Sequence, residues 1–256
     1  MVNAFWGFVA GVFGLIFGSF LNVCIVRLPV DESLIRPRSK CPKCGHMVGW
    51  RDNIPVFSWF ALRGRCRHCG EAISWQYPLV EILVGAIWAA SFWYYGLEVT
   101  AASAAIFGTI LLGIGITDAR HYIIPDEYTW GGLVIGLLLS LAAGLTEFSM
   151  ALLGAATGFG LLMFVAWAGK KAFKKDAMGG GDIKMMAMVG AFVGWKGVLL
   201  TIFGGALLGT LIFVPLNLGK KDRLVPFGVF LAAAAAIAFV FGDAVVDWYV
   251  RYLNGL

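Results

Sequence analysis

Charge is what this sequence has least of. Only 14% of its 256 residues are charged, against roughly 25% in a soluble domain, so a water-facing surface over a chain of this size is excluded. Strict alternation is missing too. The apolar residues, 60% of the chain, come in unbroken runs rather than the ~10-residue alternating segments of a membrane β-barrel. Irregular spans are excluded because backbone exposed to lipid must bond within its own segment. No basic stretch precedes the first run and no small-x-small site follows it, so residues 5–28 are expected to be an uncleaved anchor. There is no long linker, no low-complexity tract and no internal repeat.

What is there is a series of apolar segments, each near the roughly 20 helical residues that cross a ~30 Å hydrocarbon core. Eight are expected, over residues 5–26, 78–95, 99–117, 128–145, 148–168, 183–195, 198–216 and 227–249. The sixth is short and rich in Met. The fold class is therefore all-α, a polytopic transmembrane helix bundle, organised as a first transmembrane helix (1–28), a cytoplasmic cysteine loop (29–77) and a transmembrane bundle (78–256). Small residues four apart, Gly7 with Gly11, Gly14 with Gly18, Gly190 with Gly194 and Gly205 with Gly209, predict close helix contacts.

The net charge of +5 sits in loops rather than on a stripe, which argues against nucleic acid. Arg27, Arg36, Arg38, Lys40, Lys43, Arg51, Arg63, Arg65 and Arg67 follow the first segment. Arg120 follows the third, Lys170, Lys171, Lys174 and Lys175 the fifth, and Lys220, Lys221 and Arg223 the seventh. Every second loop is basic, as eight spans with both termini outside require. The cysteine loop is then cytoplasmic.

Four of five cysteines form two C-x2-C pairs in that loop, Cys41 with Cys44 and Cys66 with Cys69, 21 residues apart. Gly45 and Gly70 follow the second Cys of each pair and let backbone N–H groups fold toward sulfur. The spacing points to a closed tetrahedral zinc site of structural kind, with free thiols, a redox pair or an iron–sulfur site as alternatives. His46 and His68 are spare, and Cys24 is an apolar filler in the first span.

Two acids lie at segment ends instead of in loops. Asp118 closes the third, and Asp182 opens the sixth after Gly179, Gly180 and Gly181. The topology puts both at the cytoplasmic boundary. Singly, Asp182 reads as a helix N-cap and Asp118 as a partner of Arg120. Together they read as a carboxylate pair sharing a proton, the arrangement of an aspartic protease, with the glycines leaving room for a substrate strand. Asp126, after Pro125, serves either to cap the next helix or to bind a basic substrate leader. Lys184 is expected on another face from Asp182, and His121 on the surface.

These pieces resemble the bacterial type IV prepilin peptidases. The resemblance rests on Gly18-Ser19-Phe20-Leu21-Asn22-Val23, the cysteine pairs flanking Asp52-Asn53-Ile54-Pro55 and Leu62-Arg63-Gly64-Arg65-Cys66, and Tyr77-Pro78-Leu79-Val80-Glu81. Asp118 with Ile124-Pro125-Asp126 and the GxGD motif Gly179-Gly180-Gly181-Asp182 complete it. It implies Asp118 and Asp182 as the catalytic dyad of an inner-membrane peptidase. The implied substrates are prepilins and pseudopilins with a short basic leader ending in Gly. It also implies methylation of the new N-terminus from S-adenosylmethionine, for which Asn53, Gly64 and Glu81 are the candidate residues. Two rivals remain open: a GxGD intramembrane protease acting on other membrane proteins without methylation, and a proton-coupled transporter.

Overall fold

A computed structural model describes residues 2–174, 178–216, 225–253 and 255. Lys175, Lys220, Lys221 and Arg223, counted in the charge pattern above, lie outside those residues. The described chain is helical: α1 Val2–Arg27, a five-residue α2 Phe57–Ala61, α3 Gln76–Tyr95, α4 Val99–His121, α5 Asp126–Ala143, α6 Leu145–Phe173, α7 Gly180–Leu216 and α8 Phe227–Leu253. Six of these are long and apolar enough to cross a membrane. α5 is shorter, with 18 residues.

The sixth and seventh apolar segments are the two helices that make up α7, and they meet at Gly194, where φ is 65° and the backbone leaves the helical region. The short Met-rich stretch needs no lipid-spanning length because it is core. Met185, Met186, Met188 and Val189 are wholly buried.

The chain divides into two compact units, residues 1–109 and 110–256, with α4 running through the boundary. In the first, α1 lies against α3 along a glycine face. A Cβ on Gly18 would come within 2.7 Å of Glu81 Cα, and one on Gly14 within 2.9 Å of Gly85 Cα. Asn22, buried on α1, donates to the Tyr77 carbonyl at 3.0 Å. It thereby ties the end of α1 to the start of α3, satisfying a polar side chain that would otherwise be costly to bury.

In the second unit α6 and α7 come closer still. A Cβ on Gly190 would lie 2.1 Å from the Gly154 carbonyl oxygen, and one on Gly158 2.1 Å from that of Met186. Gly205 and Gly209 face Leu231 and Phe230 of α8. Close approach of this kind drives helix association where lipid removes the hydrophobic incentive.

Candidate functional site

Three helix ends meet around the two acids within the second unit. Asp118, 5% exposed, is in the last turn of α4. Its Oδ2 accepts the Val229 backbone N–H at 3.1 Å, and the Gly228 N–H also donates to the carboxylate. Both donors belong to the first turn of α8, where N–H groups have no intrahelical acceptor and favour an anion. A Cβ at Gly228 would fall 2.9 Å from Asp118 Oδ2 and 2.8 Å from Ile124, so glycine is required for this approach. Arg120 makes no ion pair with Asp118 among the described residues.

Asp182 stands in the first turn of α7 and accepts the Gly179 N–H. It is the third residue of α7 and reaches back to the residue before the helix, so it is not the N-cap itself, and it also lies within Coulombic reach of Asp118. Gly181 packs on Ile124, where a Cβ would meet Ile124 Cβ at 3.0 Å, while Gly180 is open. Asp126 opens α5 next to the N-cap Pro125. Its carboxylate takes both bonds from Lys184 Nζ, at 2.7 and 2.8 Å. Lys184 is thus turned from Asp182, as the sequence indicates, but toward Asp126, a partner that spacing along the chain does not show.

In the first unit the four cysteine sulfurs lie within 4.8 Å of one another, with Cys41 and Cys69 Sγ 3.8 Å apart. Zn–S bonds of ~2.3 Å in a tetrahedron place sulfurs roughly 3.8 Å apart, so the donor set fits zinc. The two knuckles repeat one plan. The Cys41 N–H bonds to the His46 carbonyl and Gly45 N–H to Cys41, as Cys66 does to Glu71 and Gly70 to Cys66. Gly45 and Gly70 supply the positive φ, 69° and 73°, that closes each turn. N–H donation from Cys44 and Lys43 draws the Cys41 thiol down to about 6. The Cys69 sulfur also accepts an N–H, from Glu71, yet burial and the crowding of the other three thiols push it up to about 12. A divalent cation relieves that crowding by taking all four as thiolates. Lys43 pairs with Glu71, Arg67 grips Asp52 with two nitrogens at 2.7–3.1 Å, and the His46 and His68 ring centres lie 3.4 Å apart with the planes tilted by 33°.

Beside this loop, among the described residues, is a cavity of about 570 Å³, within the 300–1,000 Å³ of small-molecule sites. Its walls include Asn22, Asn53, Trp59, Tyr77 and Glu81. Glu81, in α3, is 6% exposed and accepts the Val56 N–H at 2.6 Å, with the Ser19 hydroxyl as a second donor. Val56 has φ 61°, a conformation that costs a β-branched residue on the order of 1–3 kcal/mol. Gly64 does not line the cavity. At φ 65° it sits under the Trp59 ring, 2.7 Å from where a Cβ would be, and so supports a wall. Asn53, Gly64 and Glu81 therefore gather at one place, although they are separated in sequence.

A profile for the type IV leader peptidase family matches residues 104–214, which include both aspartates, and one for the bacterial peptidase A24 N-terminal domain matches residues 12–95. The chain is 34% identical to a prepilin leader peptidase/N-methyltransferase of Stutzerimonas stutzeri, over 94% of this chain and 92% of that one. A protein of the same description from Xanthomonas campestris is 35% identical over 93% and 92%. The chain belongs to the type IV leader peptidase family. Another relative with that description, from Myxococcus xanthus, is 42% identical over 80% of this chain, but this chain spans only 59% of it. No solved structure matches.

Within this family member, Gly228, Val229 and the Asp126–Lys184 pair are the site features that sequence reasoning missed. Gly228 carries a faint sequence mark, a glycine just after Pro226-Phe227 at a span's start. Backbone donors carry no mark at all.

Proposed function

We propose that this protein is a bacterial inner-membrane endopeptidase that removes the short basic leader of type IV prepilins and pseudopilins, with Asp118 and Asp182 as its catalytic pair. One observation carries the reading. Two carboxylates from separate helices act on each other at the ends of α4 and α7, one of them held by the N-terminus of α8. Neighbouring carboxylates do not both ionise readily, so they hold one proton and titrate as a pair. One takes a proton from the attacking water while the other protonates the scissile carbonyl oxygen. The released nitrogen then leaves as an amine.

The glycines 179–181 leave room for an extended substrate, and Asp126 offers a carboxylate to the basic leader. Basic loops after α1, α4 and α6 put this end of the bundle on the cytoplasmic side, and eight spans follow if both halves of α7 cross. The cysteine centre takes zinc and fixes the loop, which is too small to be stable by core burial alone.

The test is cleavage of a purified prepilin in lipid by wild type, Asp118→Asn and Asp182→Asn. Each variant is expected to lose at least about a thousandfold in rate, since the pair acts as a unit. Undiminished cleavage by either removes that residue from the mechanism.

N-methylation of the new terminus is the second half of the reading, favoured by the cavity that gathers Asn53, Trp59 and Glu81. S-adenosylmethionine, when bound, supplies an electrophilic methyl group. A cation of that kind suits the aromatic wall that Trp59 offers. Asn53 offers hydrogen bonds to its polar groups, and Gly64 keeps Trp59 in place. A GxGD protease with other substrates predicts cleavage without a methylated product. A proton-coupled transporter predicts proton flux without cleavage.

A further inference from the structure

Glu81 is more than nine-tenths buried, lines the cavity and has two neutral donors, the Val56 N–H and the Ser19 hydroxyl. No ion pair among the described residues involves it. A carboxylate in that position is expensive unless a cation meets it, and the chain spends a strained Val56 on orienting it. A structural acid would be paired within the fold, as Asp52 is by Arg67 and Glu71 by Lys43. Glu81 is left for something that enters.

Resting on the methylation reading, we infer that Glu81 is the catalytic base of the methyl transfer: it binds the substrate's terminal ammonium and takes its proton. An amine with a pKa of about 7.7–8.0 is largely ammonium at pH 7 and has no lone pair to attack with. Beside the buried Glu81 carboxylate an ammonium and a carboxylate become an amine and a carboxylic acid with no net change of charge, and the low local dielectric favours the neutral pair. The nitrogen lone pair then forms the N–C bond as the S–C bond breaks and its electrons return to sulfur. The product nitrogen is an N-methylammonium carrying the positive charge that the sulfur has lost, and the Glu81 proton leaves to water, which restores the carboxylate.

Other charged or ionisable side chains line the cavity. Tyr77 lies on the same helix, Arg27 comes from α1, and Glu32, Lys40, Cys41, His46, Asp52, Cys66, Arg67, His68 and Glu71 come from the cysteine loop. Arg27 is bonded to the Ser33 and Pro37 carbonyls, and the two histidines lie on each other.

The experiment uses the full chain in lipid with a prepilin and S-adenosylmethionine. It reads methylated product by mass spectrometry from pH 6 to 9.5 for wild type, Glu81→Gln and Glu81→Asp. Wild type is expected to be nearly flat from pH 6 to 8, because the proton moves inside the cavity. Glu81→Gln must release it to solvent, so its rate falls tenfold per pH unit below about 8. The deficit is about tenfold at pH 7 and about a hundredfold at pH 6, and it closes at pH 9. Glu81→Asp stays flat at a lower rate. A Glu81→Gln profile parallel to wild type overturns the inference, as does loss of donor binding by calorimetry with no change in profile.

A second measurement serves if both variants fail to fold. Wild type is titrated at pH 6 with a peptide matching the mature N-terminus, free or N-acetylated. A preference of tenfold or more for the free amine supports the inference, and equal binding overturns it. If wild type forms no methylated product, the methylation reading fails, and the peptide preference still decides whether Glu81 holds an amine.

Discussion

Asp118 owes its position to two atoms of backbone from a helix more than a hundred residues further along. Gly228→Ala would push a methyl group to 2.9 Å from its carboxylate and 2.8 Å from Ile124. Displacement of a reacting group by a fraction of an ångström costs rate more than binding. Gly228→Ala is therefore expected to lower kcat for leader cleavage about a hundredfold with little change in KM, measured on a purified prepilin. Asp126→Asn should do the opposite, raising KM for a basic leader while leaving kcat near wild type. Loss of its exposed pair with Lys184 should cost under about 1 kcal/mol of stability.

Asp52 gives a pH expectation at the same scale. The hydrogen bonds from Arg67 hold its carboxyl below the usual carboxylate range. Its contribution is therefore full above about pH 3.9, the unfolded value, and is lost as pH falls through the lower folded value. Metal thiolates protonate earlier on acidification. Zinc release, followed with a colorimetric chelator, should thus be complete while the Asp52–Arg67 pair still holds, and Asp52→Asn, which removes that support, should move the release midpoint to higher pH.

At the scale of elements, the glycines sort by what faces them. Gly190 in α7 faces the Gly154 carbonyl of α6 with no room for a methyl, and overpacking of this sort costs typically 1–3 kcal/mol or more. Gly160, on the same α6, has nothing within 4 Å of a Cβ. Gly190→Ala should lower stability by about 3 kcal/mol in lipid. Gly160→Ala should be neutral or gain up to about 1 kcal/mol from helix propensity. Equal effects in thermal unfolding would show that the α6–α7 contact is looser than described. Gly190 with Gly194 and Gly154 with Gly158 share the four-residue spacing in the sequence, but only the packing shows that Gly154 and Gly190 face each other. The break in α7 at Gly194 falls where the sequence separates the sixth apolar segment, ending at 195, from the seventh.

For the whole molecule, the two proposed chemistries fall in different units of the chain. The cysteine centre and the Glu81 cavity lie in residues 1–109, and both aspartates in residues 110–256. Cys41→Ser, or stripping of metal by a chelator, should abolish bound zinc and reduce methylation while largely sparing leader cleavage. Zinc analysis and a product ratio by mass spectrometry check this together.

Composition and run length alone determined that this chain is a helical membrane protein, since too little charge remains for any other surface. The paired cysteines, the two boundary aspartates and the family motifs were legible because residue type at fixed spacing is itself the chemistry. The tertiary structure alone decided that α8 caps Asp118, that Lys184 joins Asp126, and that Asn53 and Glu81 share one cavity, with Gly64 beneath its Trp59 wall. Those contacts join backbone atoms and side chains far apart in sequence. A single sequence carries no period or spacing that records such meetings.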